Sequence, residues 1–168
     1  IQAMDFSAVQ AAITSGQADI AIAGFAKTPE REESMGLTTP FGMDDEDNGQ
    51  GLLVPADKAS EYTSAEDFSG KTVGAQNGSL QQNLVTSQLP EDVNVEPIGS
   101  LNDGVLMLQT GKIDALASDG SNAKLLMENY DDIALCDFMF EWESEGNVAA
   151  VKKGEDELLE AVNEIIEE

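Results

Sequence analysis

Hydrophobic residues along the chain alternate between two periods. Phe6, Val9 and Ile13 recur at helical spacing and are followed by Gly16, which predicts a helix over residues 5–16. Residues 18–24 are a continuous run of small apolar side chains, which predicts a strand buried on both faces of a sheet. Thr28-Pro29-Glu30 then predicts a helix start: the threonine caps, proline suits the first helical position, and an acid favours the positive end of the helix dipole. Beyond Phe41 the polar stretch "GMDDEDNGQG" reads as a loop, and "GLLVP" as a strand ended by Pro55. Residues 56–70 read as loop with one short turn, where Ser64 to Asp67 resemble a capping box. Further strands are predicted at 71–76, 93–98, 113–118, 133–136 and 148–151, and further helices at 80–89, from Ser100 onward, up to about Tyr130, and at 155–168. Helices alternating with strands predict a parallel α/β architecture.

One unit of this pattern occurs twice. "GQADIAIAG" at 16–24 has a partial echo in "GKIDALASDG" at 111–120, with Gly16 and Asp19 ninety-five positions before Gly111 and Asp114. Each copy follows a helix-like run and opens an apolar strand, which suggests two similar lobes. Ligands of open α/β sheets bind beyond the carboxyl ends of strands. The first of these strands leads into "FAKTPER", with Arg31, the only arginine; the second leads into "SDGSN", with Asp119. A cation and an anion at matching places suit a small zwitterion. Each feature also has a plainer reading. Glycine ends many helices, Arg31 is a candidate surface partner of Glu32 or a neighbouring carboxylate, Asp119 is a candidate helix cap, and "NGS" at 77–79 is a candidate ordinary turn.

Charge narrows the function classes. The 168 residues carry 33 acids against 8 bases, a net charge of −25. Such a field repels phosphate, which argues against nucleic acid and anionic membranes as partners. Any anionic ligand then depends on local donors, which raises the interest of Arg31. No apolar run reaches membrane-spanning length, and no signal-peptide pattern opens the chain. Cys136 is the only cysteine; it forms no internal disulfide and reads as a buried core thiol. The chain has no histidine, so Ser-His-Asp and Cys-His catalysis and histidine-based metal sites are excluded. "DDEDNG" at 44–49 mimics the start of a calcium loop, but with Asp44 first the required twelfth-position glutamate falls on Pro55. It is read as a solvated acidic loop. "GQG" at 49–51 lacks the third glycine of a dinucleotide loop. No metal and no cofactor is expected, and no acid/base pair stands out by its spacing. Recognition geometry remains: "NGS" and "FAKT" each lead from a strand into a helix, aiming backbone N–H groups at a ligand.

The stretch "GQADIAIAGFAKTPEREESMGLTTPF" closely resembles the signature of the extracellular amino-acid-binding proteins of ABC importers, the family-3 solute-binding proteins. "DFSGKTVGAQNGSLQQNL", "GKIDALASDGSNA" and "GNVAAVKKGEDELLEAVNEII" continue the resemblance over nearly the whole chain. It implies a two-lobed periplasmic-binding-protein fold of type II. Residues 1–48 and 147–168 would form lobe 1, residues 53–140 lobe 2, and the stretches 48–52 and 140–147 the hinge crossings. It implies that an opening strand and helix and a closing segment lie outside this chain, leaving lobe 1 incomplete. It also implies residue roles. Phe6 becomes an aromatic wall over the ligand side chain, and the Gly24 carbonyl an acceptor from the α-ammonium. Arg31 becomes the bidentate clamp on the α-carboxylate. Ser79 and Leu80 offer backbone N–H groups to the same carboxylate, Gln76 reads the ligand side chain, and Asp119 pairs with the ammonium. Ala26 stands where the family usually has Ser or Thr, so that position has lost a hydroxyl donor. The implied function is extracytoplasmic capture of a free L-amino acid and its delivery to an ABC permease, by a protein that is a monomer when complete and lies in the periplasm or is lipid-anchored outside the membrane. Two alternatives share the fold: a dehydratase of cyclohexadienyl or arogenate type, and a ligand-binding sensor domain.

Overall fold

The computed structural model describes residues 1–42, 49–143 and 145–167. The chain divides into two compact units, Ile1–Asp44 with Glu143–Glu168, and Asp45–Trp142. The acidic loop and its calcium-loop mimic fall almost wholly outside the described residues.

The first unit begins with α1 (Phe6–Ser15), which packs Ile13 and the partly buried Phe6 and Val9 onto Phe25, Met35 and Val148. Gly16 ends α1 at φ 74°, in the left-handed region that glycine enters without steric cost. Then come β1 (Ile20–Ala26), the one-and-a-half-turn α2 (Pro29–Ser34) and the short β2 (Met35–Leu37). After the second unit the chain returns to the first with β8 (Asn147–Lys152) and α6 (Asp156–Glu167). β8 lies between β1 and β2 and runs antiparallel to both.

The second unit has a five-stranded sheet. Its strands are β3 (Gln50–Pro55), β4 (Thr72–Gln76), β5 (Asn94–Ile98), β6 (Ala115–Asp119) and β7 (Ile133–Met139), in the order β5-β4-β6-β3-β7. The helices α3 (Leu80–Gln88), α4 (Leu101–Gln109) and α5 (Gly120–Asn129) connect them. Val105, Leu108, Leu126 and Ile133 close over Leu53, Ile98 and Leu116 to form its core.

The repeated motif folds the same way in both units. After α1, Gln17 N–H donates to the Ala12 carbonyl at 2.8 Å and Ala18 N–H to the same oxygen at 3.2 Å. After α4, Lys112 and Ile113 donate to the Met107 carbonyl at 2.8 and 3.3 Å. Gly111 has φ 70°, matching Gly16.

Three expectations differ from the structure, and one strand was not foreseen. Among the described residues only β4–β5 and β4–β6 are parallel; β3 runs antiparallel to β6 and β7, and β8 runs antiparallel to β1 and β2. Apolar runs record burial and are silent on the direction of the neighbour. Within this chain β1 is an outer strand of its sheet and Ile22 is 74% exposed, although the run of small apolar residues at 18–24 predicts burial on both faces. The span 56–70 forms two short 3-10 turns, Ala56–Glu61 and Ala65–Phe68, in place of one. β2 has no signal in the sequence, because three residues are too few to show a period.

β1 also carries an irregularity that matters for the site. It advances from Ala21 to Phe25 while β8 advances only from Ala150 to Val148. Gly24 sits in this bulge at φ 63°. Bulges bend a strand and re-aim its side chains. Here Phe25 turns fully into the core while Gly24 stays exposed.

Candidate functional site

The candidate residues form two groups, one in each unit. In the first unit, Thr28 begins α2: its hydroxyl accepts from Arg31 N–H at 3.4 Å. This cap fixes the helix on which Arg31 stands, and the side chain turns back toward the end of β1. Its Nη1 donates to the Ala26 carbonyl at 2.7 Å. Its Cζ lies 5.3 Å from the Phe25 ring centre and 5.4 Å from that of Phe6. The two rings are themselves 5.3 Å apart and tilted by 57°.

Arg31 is only 6% exposed. Burial pushes its guanidinium below the usual arginine range, and the nearby Glu30 acts in the opposite direction. Arginine keeps its charge throughout the accessible pH range. Its neighbour Lys27 pairs with Glu32 at 3.4 Å. Ala26 therefore enters the group through its backbone oxygen, and Phe6 touches the arginine as well as the core. Gly24 lies in the bulge beside Asn147, on the neighbouring strand β8.

In the second unit the candidates gather at the carboxyl ends of the parallel strands β4 and β6. Gln76 ends β4, and "NGS" turns the chain into α3. Ser79 N–H donates to the Gln76 carbonyl at 3.1 Å, so it is engaged in the turn. The Ser79 hydroxyl, 2% exposed, caps Gln82 N–H at 3.1 Å. Leu80 and Gln81 N–H open the helix and, as at any helix start, find no acceptor in their own turn.

Asp119 ends β6 and caps α5. One carboxylate oxygen accepts from Asn122 N–H at 2.9 Å, and the other from Asn122 Nδ2 at 2.7 Å. The cap reading is thus part of the structure. An ionised carboxylate retains further acceptor sites beyond two such bonds.

Three polar residues of this group were missed by sequence reasoning. Gln50, 7% exposed, lies opposite Asp119 in the sheet and accepts from Gln81 Nε2 at 2.7 Å. Nothing in a sequence marks such a pair, which depends on β3 lying beside β6. Asn122 was legible in principle as the partner of a capping Asp three residues earlier. Two cavities, of about 220 and 200 Å3, contain none of the candidate residues. One lies by Met35 and Leu159, the other by Pro55 and Leu108.

All of residues 1–168 match the bacterial extracellular solute-binding proteins, family 3. The chain belongs to that family. It is 28% identical over 169 residues to a probable histidine-binding protein of Campylobacter jejuni, a match that covers 98% of this chain and 61% of the relative. It is 32% identical over 149 residues to a putative ABC transporter arginine-binding protein 2 of Escherichia coli K12, covering 87% and 58%. Among solved structures it is similar to the amino acid ABC transporter substrate-binding protein AbpA of Streptococcus pneumoniae, described as bound to L-arginine. The TM-score is 0.90 at 32% identity, covering 99% of this chain and 68% of that one. The family-3 chain thus spans about three-fifths of the length of these curated relatives. Its fold is the mixed α/β fold of type II periplasmic amino-acid-binding proteins.

Proposed function

We propose that this family-3 protein captures a free L-amino acid and delivers it to a membrane permease of an ABC importer. The observation that carries this reading is the buried Arg31, held by the Ala26 carbonyl and lying over two aromatic rings. A planar guanidinium fork matches an α-carboxylate through two parallel hydrogen bonds. In the proposal, Leu80 N–H and the start of α3 contribute to the same carboxylate, with Ser79 setting that helix start. Asp119 and the Gly24 carbonyl take the α-ammonium, while Phe6 and Gln76 face the ligand side chain.

The ligand to try first is L-arginine, because relatives carry arginine-, histidine- and cystine-binding names. The family description places such proteins outside the cell, and no helix among the described residues is long and apolar enough to cross a membrane. The reading is of a monomeric binder with no turnover.

Titration calorimetry against the common L-amino acids tests it, together with mass spectrometry of ligand retained through purification. Saturable binding of one or a few amino acids is expected. Binding of none, or formation of a new product from a prephenate-like acid, would overturn the proposal.

A further inference from the structure

Phe25 is the one bulky side chain in "IAIAGFA", an otherwise small-residue and isoleucine strand. The bulge at Gly24 turns it inward, where it is 0% exposed. A residue so placed touches no ligand. It does meet Arg31, whose Cζ lies 5.3 Å from its ring centre.

The Ala26 carbonyl and the Phe25 ring thus act on the same guanidinium. The bond to the Ala26 carbonyl fixes how the fork is turned within its own plane. The ring beneath Cζ limits how that plane tilts. The ring face also returns part of the stabilisation that the cation loses on leaving water. Phe6 makes a similar contact but is only half-buried. Ala26 has no hydroxyl to share the carboxylate, so binding leans more heavily on the orientation of Arg31.

We propose that Phe25 is a positioning residue for ligand binding: its buried ring holds the Arg31 guanidinium in the orientation that receives the α-carboxylate. The role rests on the reading of Arg31 as the carboxylate clamp. It predicts an effect on affinity from a residue with no access to the ligand, and an effect confined to the carboxylate end.

Arg31 is the only arginine in the chain, so its Nε–H gives a single, self-assigned cross-peak in a 15N-labelled sample. The proton should be displaced upfield of free arginine by the ring current, and the Nη protons should be resolved, showing hindered rotation. In Phe25→Leu the Nε–H signal should return toward the free-arginine position. In parallel, calorimetry compares L-arginine with L-argininamide, which lacks the anionic carboxylate. Phe25→Leu should weaken L-arginine binding about ten- to thirtyfold, the scale of a desolvated cation–ring contact, and leave the amide nearly unchanged. Should Phe25→Leu fold poorly, Phe25→Met fills more of the space without a ring, and the spectrum of the parent still decides.

An unshifted, freely rotating Arg31 signal in the parent would overturn the proposal. So would equal losses for the acid and the amide, which mark a general packing defect. A parent that shows the shifted signal but binds no amino acid would refute the transport reading while leaving the hold of Phe25 on Arg31 standing.

Discussion

The guanidinium of Arg31 is tied to the backbone oxygen of Ala26, five residues earlier, by a 2.7 Å hydrogen bond. The bond joins the first turn of α2 to the end of β1. Its donor belongs to the only arginine and its acceptor to a residue whose side chain offers no polar atom.

Replacing that donor separates Arg31 from its charged neighbour. Arg31→Ala is expected to cost roughly 2–5 kcal/mol of amino-acid affinity, as for one partner of a buried charge pair. Lys27→Ala removes an exposed ion pair with Glu32 and should change affinity by less than about 1 kcal/mol. Calorimetry on both variants checks the contrast; near-equal affinities of Arg31→Ala and the parent would end the clamp reading.

Asp119 is given two tasks, and two substitutions divide them. Asn serves as an N-cap about as well as Asp, so Asp119→Asn should unfold at nearly the parent temperature while losing affinity at least about tenfold. Asp119→Ala also loses the bond from Asn122 N–H and should cost about 1 kcal/mol of stability. Thermal unfolding together with binding measurements separates the tasks. An Asp119→Asn variant with parental affinity would leave Asp119 as a helix cap only.

The duplicated turn predicts a purely conformational defect. A Cβ at Gly111 meets no atom within 4 Å, yet its φ is 70°. Gly111→Ala should therefore lose about 1–2 kcal/mol through backbone strain alone, and Gly111→Asn less, because Asn tolerates the left-handed region better. Urea unfolding measures both. Equal stability of the alanine variant and the parent would show that the turn relaxes.

Acid stability should carry a small signature of Asp67. Backbone N–H groups of Thr63 and Ser64 each donate to one of its oxygens at 2.8 Å, holding the carboxyl below its ordinary 3.8. A depressed folded value means stabilisation that is present above the unfolded value and lost as pH falls through the folded one. Parent and Asp67→Asn should differ near neutral pH and converge in acid, below the ordinary aspartate value. A gap that stays constant with pH would rule out the charge as its source.

What the sequence determined by itself is local. Gly16, Thr28, Ser79, Ser100 and Asp119 each act within a few residues of chain, through one backbone angle or one cap, and those elements begin or end where the pattern indicates. The same holds for the paired turns at Gly16 and Gly111, because a helix stop needs nothing from elsewhere in the chain. Tertiary structure decided the rest. The direction of β3 and β7 and the pairing of Gln50 with Gln81 depend on which strand lies alongside, and an apolar run carries no record of its neighbour. Phe25 is the clearest case. In the sequence it is one more apolar residue of a strand; the slip in register against β8 turns it inward, and only there does its ring come to lie at the guanidinium of Arg31.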